Sequence, residues 1–331
     1  MTRRVAVIGA GLAGLACATA LARAGDAVTV LDKGRGPGGR MSARRVETPL
    51  GQVTFDHGAQ YFTARDPGFQ AQVRAWALAG VCAPWPAAGE DAWVGTPAMN
   101  APIRALAQPL DVVWGRRVEA MVKGEAGWTL IADGAPPLEA QVVILATPAE
   151  QVAVLLDAHD AAGASLARAT PAQPCWTVMA AFAEPLPVAA DILRSAGTIG
   201  WAARNSAKPG RGGPEAWVIQ ASPDWSAAHL ELPAEAVADR LEGAFADLTG
   251  VDWPAPLSLA AHRWRYARSG AAGAQALWSP ETGLGVCGDW LVGPRVECAW
   301  LSGLALARAI AAAPAPAPAP RPDWPRGAAV V

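Results

Sequence analysis

The sharpest hydrophobic pattern in the chain lies near its N-terminus, where residues 5–8 form an unbroken β-rich apolar run. Residues 12–24 are dominated by Ala and Leu, and residues 28–31 are apolar again. A short buried strand, a helix and a second buried strand make a βαβ unit. Gly9, Gly11 and Gly14 stand between the first strand and the helix at G-x-G-x-x-G spacing, and Asp32 closes the second strand. Such a unit binds a dinucleotide: Gly9 makes the tight turn, Gly11 lets the backbone approach a pyrophosphate, and Gly14 allows close helix packing. Leu12 and Ala13 offer free amides at the helix start, and Asp32, with Lys33 beside it, is placed to accept from a ribose hydroxyl. Arg3 and Arg4 ahead of the apolar run imitate a signal peptide, but glycine spacing followed by a second strand excludes that reading.

Further along, residues 112–113, 118–122, 128–132 and 140–148 read as strands separated by turn residues. From residue 171 the strands lengthen to 175–182, 197–204, 215–222 and 257–264, interrupted by a helix over 234–248. A strand at 284–290 and a helix over 298–312 follow. The pattern predicts an α/β protein with a doubly wound, Rossmann-like dinucleotide-binding domain over residues 1–66, 98–150 and 277–312. A second, mixed β-sheet domain over 67–97 and 151–276 is expected to carry the substrate side. Residues 313–331, alternating Ala and Pro, read as a disordered or polyproline tail.

Composition narrows the ligand. A chain of 331 residues that is 52% hydrophobic and 17% charged, with a formal charge of -2, has no basic stripe for nucleic acid. A small-molecule substrate is expected instead. The five cysteines form no C-x-x-C pair and the four histidines are scattered, so neither a disulfide framework nor a metal site is indicated. The cysteine pattern suits a cytoplasmic protein; no membrane attachment is expected, and a monomer or weak dimer is expected although no sequence feature signals oligomeric state.

Directly behind the βαβ unit comes "KGRGPGGRMSARR". A G-G-R in this place resembles the flavoprotein signature of the amine oxidase superfamily, which implies that Gly39, Arg40 and Met41 belong to an FAD site, with Arg44 and Arg45 as candidates for a further contact. The resemblance sharpens through "FDHGAQYFTARDPGF" (55–69), "MNAPIRALA" (99–107), "HRWRYARS" (262–269) and "GVCGDWLVGPRVECAWLSGLALA" (285–307). Together they are similar to the bacterial renalase-like FAD oxidases over nearly the whole chain. That likeness implies oxidation of isomeric dihydro forms of NAD(P) to NAD(P)+, with O2 reduced to hydrogen peroxide. It also implies cofactor contacts from Gly58 and Ala59, from the backbone of Val118 to adenine, from Ala146 and Thr147 near the ADP portion, and from Gly288 and Asp289 to the ribityl chain. Val296 and Glu297 open a helix whose N-terminus would stabilise negative charge on reduced flavin. An oxidase of small amines, or a flavin-binding protein without turnover, are the alternatives.

Hydride transfer from a dihydropyridine needs geometry rather than a base. Candidates to supply it are His57, Gln60 and Tyr61 beside Gly58, together with His262, Trp264, Tyr266 and Trp290. On a strand, His262, Trp264 and Tyr266 share one face and Arg263 and Arg265 the other. With 15 Trp in the chain, each aromatic is equally a candidate for the core. Two departures from the family stand out. Cys298 occupies a position where the renalase-like motif often has glycine, and is read as a packed, inert thiol with noncovalent FAD. The only lysines are Lys33, Lys123 and Lys208, and none lies in a motif that places a lysine beside flavin. Finally, Arg204, Lys208 and Arg211 share one glycine-rich loop, which either clamps the phosphates of a dinucleotide substrate or is a solvated hairpin.

Overall fold

The computed structural model describes residues 2–195 and 197–313. The tail expected from residue 314 lies outside the described residues. Five parallel strands form the central sheet in the order Leu284–Val286, Val142–Leu145, Arg4–Ile8, Ala27–Asp32 and Asp111–Trp114, with Leu277–Ser279 antiparallel at one edge. Alternation along the first strand explains its all-apolar sequence. Val5 and Val7 face a core shared with the helices Leu12–Arg23 and Val296–Ala312, while Ala6 and Ile8 face a second core on the other side. That second core is closed by an antiparallel three-stranded sheet, Val118–Gly124, Gly127–Ala132 and Leu138–Ala140, and by the helices Ala149–Leu156 and Ala161–Arg168.

The helix Leu12–Arg23 ends as its composition requires: Arg23 and Ala24 give way to Gly25 at φ +97, a left-handed conformation that stops the helix cheaply. Its other end is uncapped. Gly11 is extended there and no side chain bonds the first-turn amides.

A second sheet runs in the order Ile192–Arg194, Ile199–Arg204, Glu215–Ala221, Gln173–Phe182 and Ser258–Arg268, all antiparallel. One face carries Trp176, Val178, Trp217 and Ile219 against Val237, Leu241 and Phe245 of the helix Ala234–Thr249. The opposite face carries Met179, Ala181 and Val218 against Val53 and Phe55 of the hairpin Arg44–Thr48/Gly51–Phe55. The strand Gly51–Phe55 thus brings the segment after it, residues 56–61, under this face.

One expectation needs correcting. Residues 67–97 are expected on the substrate side, yet Phe69, Val73 and Trp76 of the helix Pro67–Leu78, and Cys82, Trp85 and Val94 beyond it, pack into the same core as Val5, Val7 and Leu15. The helix itself starts at a strong signal, Asp66 accepting from the amides of Gly68 (2.8 Å) and Phe69 (3.0 Å) with Pro67 at the first position. Its apolar face turns to the helix Val296–Ala312, as the ring contact of Phe69 with Trp300 at 5.3 Å shows.

Candidate active site

The glycines after the first strand meet their neighbours as closely as the motif demands. Gly9, at φ +111, donates its amide to Leu31 (2.8 Å), and a Cβ there would stand 2.7 Å from the carbonyl oxygen of Ala146. A Cβ on Gly14 would stand 2.0 Å from the carbonyl oxygen of Gly9, so the helix can approach the strand only with glycine at that position. Gly11 differs. A Cβ there would meet nothing within 4 Å, which leaves open space in front of the uncapped helix amides. Asp32 accepts from Ala10 (2.7 Å) and Gly34 (2.6 Å), and Arg116 donates to its carbonyl oxygen (2.8 Å), which brings the chain leading to Val118 alongside. Thr147, on the neighbouring strand end, has a buried Oγ1 with no partner among the described residues.

The G-G-R turn folds against this cradle. Gly39, at φ +52, has its Cβ position 3.5 Å from the Cα of Gly11, and Met41 is buried. Lys33 points to solvent. Arg40 donates to Asp289 at 2.6 Å, joining the turn to the Gly288–Asp289 corner, where the amide of Gly288 is held by Ser302 (3.0 Å). The helix Val296–Ala312 starts beside this corner without a side-chain cap. Open space over Gly11, two uncapped helix N-termini, an unpartnered hydroxyl and a guanidinium between them fit a dinucleotide with a pyrophosphate.

Glu297 is spent elsewhere. Its buried carboxylate accepts from the amides of Arg65 and Asp66, both at 2.6 Å, so only its backbone is available to a cofactor. Cys298 is buried in the first turn of the helix.

Above the cofactor cradle, Ala59 donates to the carbonyl of Arg40 (2.8 Å), and Gly58 packs so tightly that a Cβ would lie 2.1 Å from that same oxygen. The second sheet roofs this segment. Residues directly paired across its strands share a face, and the register gives one row: Arg194, Trp201, Gln220, Thr177 and His262. Three of these touch the segment below. Gln220 donates to the carbonyl of Gly58 (2.8 Å), Trp201 lies against Tyr61 with ring centres 5.5 Å apart, and His262 meets His57 edge-on at 4.9 Å. Trp264, one repeat along, stacks on His57 at 5.1 Å and donates its Nε1 to the His57 carbonyl (2.8 Å). Both imidazoles are held neutral: burial, then the neighbouring His262, pushes His57 down to about 4, and burial with the charge of Arg44 lowers His262.

Of the expected pocket residues, His57, Tyr61, His262 and Trp264 therefore converge. Tyr266 lies further along the strand and joins none of these ring contacts. Trp290 is corrected outright: it is buried in the core behind the central sheet with Leu31, Val118 and Leu291. Gln60 is also turned away, donating to the carbonyls of Asp56 (2.5 Å) and Gly58 (3.1 Å).

The glycine-rich loop is neither a phosphate clamp nor a solvated hairpin. Arg204 is committed to Glu215 (3.0 Å), Asp191 (2.9 Å) and the carbonyls of Leu186 (3.2 Å) and Val188 (2.6 Å). Lys208 and Arg211 both converge on Asp56, and all three side chains are buried. Lys208 donates to Asp56 (3.2 Å) and to Gln60 (3.1 Å), Arg211 donates to Asp56 and to the Gly95 carbonyl (2.6 Å), and Asp56 also accepts from the amide of Met99 (2.9 Å). Burial alone would raise the Asp56 carboxyl, but the two cations hold it below its ordinary value. Burial lowers Lys208 to about 8 against the pull of Asp56. Asp56 and this triad escaped the sequence reading because the partners are far apart in the chain; the only signal was a lysine and an arginine in one loop.

Residues 87–311 match the model for flavin-containing amine oxidoreductases, and residues 7–76 that for an NAD(P)-binding Rossmann-like domain. The fold is shared with a putative protoporphyrinogen oxidase from Exiguobacterium sp. 255-15, at 13% identity and a TM-score of 0.74 over 94% of this chain and 99% of that one. It is likewise similar to wild-type putrescine oxidase bound to putrescine, at 16% identity and TM-score 0.69 over 95% and 100% of the two chains. Cyclohexylamine oxidase from Brevibacterium oxydans IH-35A aligns at 14% identity and TM-score 0.67 over 94% and 99%.

Proposed function

The chain belongs to the flavin-containing amine oxidoreductase family, and on that premise we propose that it oxidises isomeric dihydro forms of NAD(P) to NAD(P)+ with formation of hydrogen peroxide. Its cofactor is FAD, which when bound accepts hydride from the substrate and returns the two electrons to dioxygen. Gly11, the amides after it, Asp32, Arg40, Thr147 and Asp289 are the residues to hold it, without a covalent link through the buried Cys298.

One observation supports this substrate over an amine. The roof above Gly58 presents Trp201, Gln220, Thr177 and His262, with Arg194 at one end. Among the described residues of that row and the segment beneath it, the carboxylate is Asp56, buried and neutralised by Lys208 and Arg211. An ammonium substrate would meet Arg194 and Arg44 at the two ends of the row with no free anion to replace its water. A dihydronicotinamide is a neutral planar ring carrying an anionic tail, and it suits aromatic walls with a cationic rim. The residues then have simple tasks. Tyr61, Trp201 and Trp264 give flat surfaces and exclude water, Gln220 fixes the Gly58 backbone, and His57 and His262 stay uncharged, so no like charge opposes a ring that becomes a pyridinium as its hydride leaves.

The holoprotein should consume oxygen with borohydride-generated dihydropyridine isomers of NAD(P) and remain idle with putrescine, cyclohexylamine and other amines. Turnover of an amine with no response to the isomers would replace this reading.

A further inference from the structure

We propose that Arg194, over the ring of Trp201 at the outer end of the roof, is a phosphate-binding residue that reads the anionic tail of the substrate. The inference rests on the dihydro-NAD(P) reading for its ligand, but its evidence is separate. Arg194 and Trp201 are direct cross-strand partners, with the guanidinium centred 4.9 Å from the indole. Trp201 in turn lies against Tyr61, in the same segment as Gly58. A guanidinium attracted to the face of an indole is restrained by it while its N–H groups stay free for a fork of oxygens. Arg194 is exposed and makes no hydrogen bond or ion pair among the described residues.

Most other cations of the second sheet are committed: Arg204, Lys208 and Arg211 are tied to Glu215, Asp191 and Asp56, and Arg263 and Arg265 share Glu231. Arg268, exposed at the end of the strand Ser258–Arg268, has no ion pair among the described residues but lies beyond Tyr266, away from Trp201 and Tyr61. Arg44, near His57 and His262 at the opposite end of the row, is the competing cation, but it sits on an exposed hairpin strand with no ring beneath it to orient it. A ligand whose flat ring lies against Tyr61 and Trp201 therefore meets Arg194, the cation over that same indole.

Calorimetric titration of the holoprotein with NAD+ and with nicotinamide riboside, which lacks phosphate, separates the possibilities. Replacement of the exposed Arg194 by Ala should leave FAD content and circular dichroism unchanged. It should weaken NAD+ by roughly tenfold to a hundredfold, as loss of a charge-assisted contact does, and leave nicotinamide riboside unaffected. Arg194→Lys should fall between, since a point charge does not stack as a fork does. Equal NAD+ affinity in wild type and Arg194→Ala, equal losses on both ligands, or a wild type without preference for NAD+ would each overturn the proposal. The two readings fail separately: if the isomers are not oxidised but NAD+ binding still depends on Arg194, the substrate assignment falls and the phosphate site stands; if they are oxidised and binding ignores Arg194, the reverse holds.

Discussion

Asp56 is the perturbation with the largest expected consequence, because it is the single anion shared by two buried cations. Lys208 and Arg211 both contact it, and none of the three side chains is more than marginally accessible, at 0%, 2% and 0% for Lys208, Arg211 and Asp56. The triad carries one surplus positive charge. Removing the carboxylate, as in Asp56→Asn, leaves two buried cations facing each other, and loss of one partner from a buried pair costs about 3–5 kcal/mol. Removing Lys208 instead leaves a balanced Asp56–Arg211 pair. The cost of Lys208→Met is then chiefly the unpaired Gln60 Oε1, roughly 1–3 kcal/mol, partly offset because a buried surplus charge disappears. The expected order is unlike a simple count of hydrogen bonds: Asp56→Asn should be far worse than Lys208→Met, although each breaks the same ion pair.

Thermal unfolding of the holoprotein followed by FAD fluorescence and far-UV circular dichroism reads this order. At about 2 °C per kcal/mol for a chain of this size, Asp56→Asn should lower Tm by about 6–10 °C and Lys208→Met by about 2–4 °C. The double variant Asp56→Asn/Lys208→Met should recover part of the Asp56→Asn loss, since it leaves one buried cation rather than two. The pH dependence carries the same logic. Lys208 sits at about 8 in the folded protein, below its ordinary 10.5, so between those values the unfolded chain binds more protons and stability rises with pH. That rise should be lost in Lys208→Met. A Lys208→Met protein as unstable as Asp56→Asn, or a wild type that loses stability from this group between pH 8 and 10.5, would refute the surplus-charge argument.

Further outcomes follow from the same geometry. His57 is held near 4 against an ordinary 6.5, so its contribution of about 3 kcal/mol is complete above pH 6.5 and is lost as pH falls toward 4; His57→Gln should flatten acid unfolding across that window in a stability–pH profile. Gly14→Ala places a Cβ 2.0 Å from a backbone oxygen and should yield protein with little or no FAD after gel filtration, whereas Gly11→Ala, with nothing within 4 Å, should fold with unchanged circular dichroism and lose only cofactor affinity. Acid precipitation of the yellow protein should release FAD to the supernatant; flavin retained in the pellet would point to a covalent link and bring Cys298 back into consideration.

How far the sequence could be read depended on the distance over which each constraint acts. The βαβ unit is local: the glycines, the helix and Asp32 lie in one run and find partners inside it, as Gly9 does with Leu31 and Gly14 with Gly9. The second sheet was legible as apolar strands for the same reason, and alternation correctly put His262 and Trp264 on one face. Trp290 lies outside that pattern, because the strand expected over 284–290 ends early. The strand stops at Val286 and Asp289–Val292 is a helical turn, which rolls Trp290 into the core.

The loop from Arg204 to Arg211 shows a different limit. A run of cations in a glycine-rich segment has the same appearance whether it waits for phosphate or is already neutralised, because the sign of the local charge is visible and the location of the counter-charge is not. Here the decisive anion, Asp56, is 152 positions from Lys208 and 155 from Arg211. It also lies beside His57 in a motif that drew attention for its histidine. The same argument applies in reverse to Arg194, which stands alone in sequence among apolar and small residues and resembles no binding motif. Its significance arises only from the register that sets it opposite Trp201. Several arginines are left without an acid among the described residues, so the choice of a binding cation rests on the ion pairs together with the ring that positions the free one, as Trp201 does for Arg194.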